Sequence, residues 1–222
     1  MIQTCFDFDI KVANLLELFA GSRSVGKVGD EMGMNVFSVD WQKFDDIDLA
    51  IDIADLTISD VPFVPDVVWA SPDCTTYTIA AISTHRNGTE PKSEYAKKCD
   101  HVNQHFIGLI KEWLKINPDM VFFIENPRGM LRKMPFMQEF TRHTVWYCQY
   151  GDDRAKPTDI FTNSKKWIPR EVCFNGNTNC HHQPAPRGSK TGTQGRKGSY
   201  QRSMIPKELC KEILNTITRE VE

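Results

Sequence analysis

Short apolar runs rich in β-formers, alternating with helical stretches, constrain this chain more than any other feature. Residues 14–19 (Asn-Leu-Leu-Glu-Leu-Phe), 36–40, 49–53, 65–70 and 120–125 each read as a strand bounded by turn residues. Residues 20–24 form a turn into a helix that ends near Gly33, and Tyr95, Cys99, Val102, Phe106, Leu109, Ile110 and Trp113 recur at helical spacing over 95–114. Strands at 144–150 and 158–161 and a helix at 206–221 close the pattern. Strands interleaved with helices predict an α/β fold: a mostly parallel sheet with helices on both faces.

Open α/β sheets place their chemistry on the loops that leave the strands' carboxyl ends. Residues 71–78, Ser-Pro-Asp-Cys-Thr-Thr-Tyr-Thr, follow the apolar run at 65–70 and form such a loop. Pro72, Thr75 and Thr76 make it tight and polar, leaving Cys74 little apolar surface to pack against. Cys74 is a candidate nucleophile, the alternative being a small, buried, inert hydrophobe. The polar stretch 83–93, with His85-Arg86-Asn87-Gly88, is long enough for a mobile, functional loop.

No apolar run reaches the roughly 18 residues that cross a bilayer, and the first residues lack the charge and apolar core of a signal peptide. A cytoplasmic protein without a membrane partner is the expectation. Seven cysteines without framework spacing suggest free thiols, metal ligands or a nucleophile rather than bridges. A net charge of −2 excludes binding nucleic acid through the whole surface. The charge is uneven, however. Residues 173–206 contain no acid, while Arg187, Lys190, Arg196, Lys197 and Arg202 stand among glycines and prolines. This small, irregular, Gly/Pro-rich basic module reads as a solvated loop or, as its composition favours, a phosphate-contacting one. Cys173, Cys180, His181 and His182, joined by Cys148, are candidate zinc ligands, although six residues between Cys173 and Cys180 exceed the usual spacing of about two to four.

Several stretches now converge on one family. Glu17-Leu18-Phe19-Ala20-Gly21, with Asp40 and Asp52 closing the next two strands, resembles the S-adenosylmethionine site of Rossmann-like methyltransferases. The Cys74 loop resembles the nucleophile loop of cytosine-C5 DNA methyltransferases, and Glu125-Asn126-Pro127 resembles their Glu-Asn-Val. Gln149-Tyr150-Gly151, Arg154, Lys156 and Thr158 fall where that family has its Gln-x-Arg-x-Arg run, and residues 202–206 where it has its last motif. The chain looks closest to compact phage and prophage members. Arg23 replaces a glycine of the first turn, and Lys156 and Thr158 replace two arginines, with Arg154 in the glutamine's place. Asp73 replaces a proline beside the nucleophile and should raise the thiol pKa unless a cation answers it.

The resemblance implies a catalytic domain over 1–163 and 202–222 and a reduced target-recognition segment over 164–201. It implies methyl transfer from S-adenosylmethionine to cytosine C5 in DNA. Cys74 would add to C6, Glu125 would assist at N3 unless it merely caps the following turn, and Arg154 or Lys156 would stabilise the thiolate. Phe19, Ala20, Gly21, Ser71 and Pro72 would line the cofactor. Asp40 would hold its ribose, Trp41 its adenine face and Asp52 its exocyclic amine, although either aspartate can also be a strand-end turn residue. The target base has to leave the duplex, with Arg86 or Asn87 filling the gap and Thr158, Arg187, Lys190, Arg196 and Lys197 contacting DNA. The expected setting is a bacterial or phage-infected cell. The same chemistry on RNA or a free cytidine nucleotide, or a catalytically silent DNA-binding protein, remain open alternatives.

Overall fold

The computed structural model describes residues 12–184 and 198–217. Arg187, Lys190, Arg196 and Lys197 lie outside the described residues. In chain order the regular elements are β1 (Asn14–Leu18), α1 (Ser24–Glu31), β2 (Asn35–Asp40), β3 (Leu49–Ala50), β4 (Val67–Ala70), α2 (Ile82–His85), β5 (Arg86–Asn87) and β6 (Glu90–Pro91). They continue with α3 (Glu94–Ile116), β7 (Val121–Pro127), β8 (Thr141–Trp146), β9 (Pro157–Thr162), α4 (Ser199–Ser203) and α5 (Lys207–Asn215). Seven strands form one sheet in the order β3-β2-β1-β4-β7-β9-β8. Pairing is parallel from β3 to β7, and β9 runs antiparallel to both neighbours.

Alternation within the strands sorts the core into two layers. Leu16 and Leu18 of β1, Val68 of β4 and Ile124 of β7 pack against Val102, Phe106, Ile110 and Trp113 of α3. Leu15, Trp69 and Phe123, one residue out of phase, pack against Val25 and Val28 of α1 and Leu209, Ile213 and Leu214 of α5. The expected α/β architecture with helices on both faces is what the chain adopts. Helix α3 starts where Ser93 accepts the Ala96 amide at 3.1 Å, and its apolar stripe supplies the long buried face. Each fully buried Phe or Leu of this kind contributes about 1.5–3 kcal/mol.

The strand order turns back between β1 and β4, opening the crevice in which such sheets bind ligands. Several elements differ from expectation. The third strand shrinks to two residues because Asp52 caps a short 3-10 turn, Ile53–Asp55, through the Ala54 amide. The 83–93 stretch is not an open loop but α2 followed by the β5–β6 hairpin, whose two-residue turn places Gly88 at φ 60°. The strand expected at 144–150 is shifted toward Thr141 and gives way to a 3-10 turn, Tyr147–Tyr150. Residues 164–170 of the expected recognition segment lie on the α5 side, where Trp167 meets Phe123 edge-on at 6.0 Å and Arg170 pairs with Glu208 and Glu212. No described helix is long and apolar enough to cross a membrane.

Candidate active site

The turn after β1 holds Phe19 (φ 55°), Gly21 (φ 47°) and Arg23 (φ 52°) in the left-handed region. Two of these carry side chains, so the turn stores strain that its surroundings must oppose. Ala20 N donates to Val39 O at 3.1 Å, Gly21 N to Asp40 Oδ2 at 3.0 Å, and Arg23 Nε to Ser38 Oγ at 2.8 Å. Arg23, standing where a glycine is expected, is therefore itself a tether between the turn and β2. Glu17, buried on the α1 side, accepts the Val25 and Gly26 amides at 3.0 Å each and so caps α1 from below. Burial pushes its carboxyl up to about 7 against those two hydrogen bonds. A Cβ at residue 26 would lie 2.6 Å from Glu17 Oε2, which leaves glycine as the residue this cap admits.

Residues around the turn suit a cofactor with hydroxyls and a flat ring. A Cβ on Gly21 would meet nothing nearer than Phe19 O at 3.9 Å, so its backbone is open to close approach. Asp40 uses Oδ2 on Gly21 N and Oδ1 on Gln42 N at 2.9 Å, and each oxygen keeps a further acceptor site. Burial raises its pKa against these amides. Trp41 is 68% exposed, a large apolar face without cover. Asp52 accepts Ala54 N at 3.1 Å and Lys98 Nζ at 2.8 Å, and the lysine leads the contacts that hold its pKa down.

Across the crevice, Cys74 is half-buried at the head of the 3-10 turn Thr75–Tyr77. Its thiol is pushed up to about 11, chiefly by burial, with Glu125 and Asp73 adding to the rise and Lys156 opposing it. Asp73 is engaged by Thr75 N at 2.6 Å and by the Tyr95 hydroxyl. Glu125, buried near the end of β7, accepts the Tyr147 hydroxyl at 2.8 Å, and Lys156 Nζ lies 3.7 Å from the same Oε1. The lysine also sits 4.6 Å above the Tyr147 ring. Burial and the Glu125 carboxylate keep the Tyr147 phenol protonated, so it acts as a donor.

Two contacts lock the Cys74 loop to the loop after β7. Asn126 Nδ2 donates to Pro72 O at 2.9 Å, and Met130 N to Tyr77 O at 2.7 Å. A Cβ on Gly129 would lie 2.3 Å from Tyr77 O, so only glycine permits the second approach. Asn126 Oδ1 is buried without a hydrogen-bond partner.

The remaining expected residues are placed differently. Arg154 is buried with its guanidinium on Asp152 (Nη2 to Oδ2, 2.5 Å) and directed at the carbonyls of Arg202 and Met204, so it ties two chain segments together. Thr158 is fully buried in β9 beside Lys156 O and Tyr147, which corrects its expected role at DNA. Arg86 is also buried. It pairs with Asp100 at 2.6 Å, donates to Thr76 O at 3.0 Å and lies 4.2 Å above the Tyr77 ring, so it braces the loop and is not offered to a base stack. Asn87 is exposed beside the Gly88 turn. Cys148, Cys173, Cys180 and His182 converge, whereas exposed His181 turns away to Asp152 O at 3.0 Å. Sequence reasoning missed Tyr147, since nothing in Trp-Tyr-Cys-Gln-Tyr marks which aromatic faces Glu125.

No family profile matches the chain. A viral relative, the probable DNA (cytosine-5)-methyltransferase of Frog virus 3 (isolate Goorha), is 25% identical over 217 residues, which cover 90% of this chain and 98% of that one. Among solved structures, the Entamoeba histolytica methyltransferase EhMeth is similar with a TM-score of 0.51 at 14% identity, over 72% of this chain and 57% of EhMeth. The chain thus spans little more than half of that structure, and the likeness is one of fold. Motifs, architecture and the viral relative point the same way: the chain is similar in sequence to a probable cytosine-C5 methyltransferase, and its mostly parallel sheet with helices on both faces is the Rossmann-like fold that EhMeth shares.

Proposed function

We propose that this protein methylates C5 of cytosine in DNA through a covalent Cys74 adduct. The observation that carries this reading is the meeting of Cys74, Glu125 and Lys156, from three separate stretches, at the carboxyl ends of the central strands β4 and β7, with Lys156 Nζ 3.7 Å from Glu125. The name of the viral relative supports the same substrate. S-adenosylmethionine, when bound, supplies the methyl group. The backbone of Phe19, Ala20 and Gly21, with Asp40, Trp41, Asp52, Ser71 and Pro72, would line its site.

Cytosine C5 becomes nucleophilic only once a thiolate adds at C6. With a pKa of about 11, only about one Cys74 thiol in several thousand is ionised near pH 7.5, and Lys156 is the cation that offsets the cost. Glu125 holds a proton at N3 as electron density arrives there, and Tyr147 fixes the carboxylate from behind. Water takes the C5 proton, the freed electron pair re-forms the C5–C6 double bond, and Cys74 leaves C6 as a thiolate. The base has to be flipped out of the duplex, at a cost of a few kcal/mol. Exposed Asn87, rather than Arg86, is the side chain available to fill the gap.

Nucleoside mass spectrometry on DNA from cells expressing the wild type or Cys74→Ser tests this reading. We expect 5-methyldeoxycytidine with the wild type alone. Its absence with folded wild-type protein would overturn the DNA assignment, and 5-methylcytidine in RNA would move the same chemistry to that substrate.

A further inference from the structure

We infer that Cys148, Cys173, Cys180 and His182 form a structural zinc site. Their ligand atoms lie within 4.8 Å of one another, and Cys173 Sγ is 3.8 Å from His182 Nδ1. A tetrahedral site with Zn–S of about 2.3 Å and Zn–N of about 2.0–2.1 Å has edges of about 3.6–3.8 Å. Closing the group around an ion therefore needs a contraction of about 1 Å or less.

Three observations point to an ion rather than to ordinary packing. Cys148, Cys173 and Cys180 crowd together yet all three are free thiols. Amide donors are aimed at each sulfur: Gln149 Nε2 at Cys148 (3.9 Å) and Cys180 (3.8 Å), and Asn177 Nδ2 at Cys173 (3.4 Å). Such outer donors stabilise metal-bound thiolates. His182 is buried and turns Nδ1 toward Cys173 Sγ at 3.8 Å, which brings a ring nitrogen to the sulfurs. Three thiolates and a neutral imidazole in tetrahedral reach select zinc, and four protein ligands leave no open position for chemistry. Binding would release the three thiol protons.

The site also explains how residues 173–182, which form no helix or strand, are held. Cys148 belongs to the 3-10 turn after β8, so the ion would staple this segment to the sheet. Beside it, His181 Nε2 meets Asp152 O and Gln183 N donates to Asp153 O, each at 3.0 Å. Zinc would thereby steady the 152–156 arm that presents Lys156.

Metal analysis of the full chain, purified reduced from zinc-supplied cells, should find about one zinc per chain. X-ray absorption should give three sulfurs near 2.3 Å and one nitrogen near 2.0 Å. Cys173→Ser and His182→Ala should lose the metal and His181→Ala should keep it. Folded wild-type protein without stoichiometric zinc, or a metal shell of nitrogen and oxygen alone, would overturn the assignment. The wild-type spectrum decides the matter even if the variants fail to fold.

Discussion

Burial and two neighbouring carboxylates act on the Cys74 thiol in one direction and Lys156 in the other, and the balance leaves it at about 11. The thiolate fraction then climbs with pH throughout the accessible range. Alkylation of Cys74 by iodoacetamide, followed by peptide mapping, should accelerate roughly tenfold per pH unit between pH 7 and 9 with no plateau. At pH 8, Lys156→Met should slow it about three- to tenfold and Asp73→Asn should speed it. A plateau near pH 8.5 would mean that the thiol is unperturbed. Much of this site is legible in the sequence, because thiolate addition demands a cysteine on a strand-end loop and an acid on a neighbouring strand. What is not legible is which of two adjacent residues faces inward. His181 and His182 are indistinguishable on paper, yet one turns to Asp152 O and the other to Cys173, while Cys148 arrives from 25 positions before Cys173.

At the level of elements, the β5–β6 hairpin shows why a polar stretch was misread as an open loop. Its composition is polar because it builds a buried ion pair, Arg86 with Asp100 on α3, and that partner is invisible until the helix is laid against the hairpin. Removing Arg86 leaves the Asp100 carboxylate buried without its counter-charge, held only by the neutral Tyr77 hydroxyl. Arg86→Met should lower stability to urea by about 3 kcal/mol, whereas Asn87→Ala should change it by less than about 0.5 kcal/mol. Equal effects would show that Arg86 does not brace the loop. The central strands, α1, α3 and the start of α5 match expectation because their apolar spacing is set by the layers they bury, whereas the short α2 and α4 carry no such stripe and α5 stops at Asn215, short of the expected 221. The short third strand and the 3-10 turn after β8 depart from expectation, since Asp52 and Tyr147 take their conformations from partners elsewhere.

Across the whole molecule, the last described helix returns to the first. Ile205 N donates to Ser24 Oγ at 3.2 Å, and Lys207 pairs with Glu31 at 2.6 Å, so α5 closes the layer that α1 begins. Beneath that closure lies Glu17. Burial raises its carboxyl from 4.5 to about 7, so the fold accommodates the neutral form better. The associated stability is complete below about pH 4.5 and is lost as pH rises through about 7, a change of about 3 kcal/mol. Urea unfolding of the wild type should therefore weaken relative to Glu17→Gln between pH 5 and 8, and a constant difference would refute the assignment. The parallel ladder between β4 and β7 sets Ala70 against Ile124, and with it the facing of Glu125. A slip of one residue would turn Glu125 to the α3 side of the sheet, away from Lys156 and Cys74. Misfolded molecules should thus be inert rather than slow, and titrating the competent fraction would measure the quality of a preparation better than its average turnover.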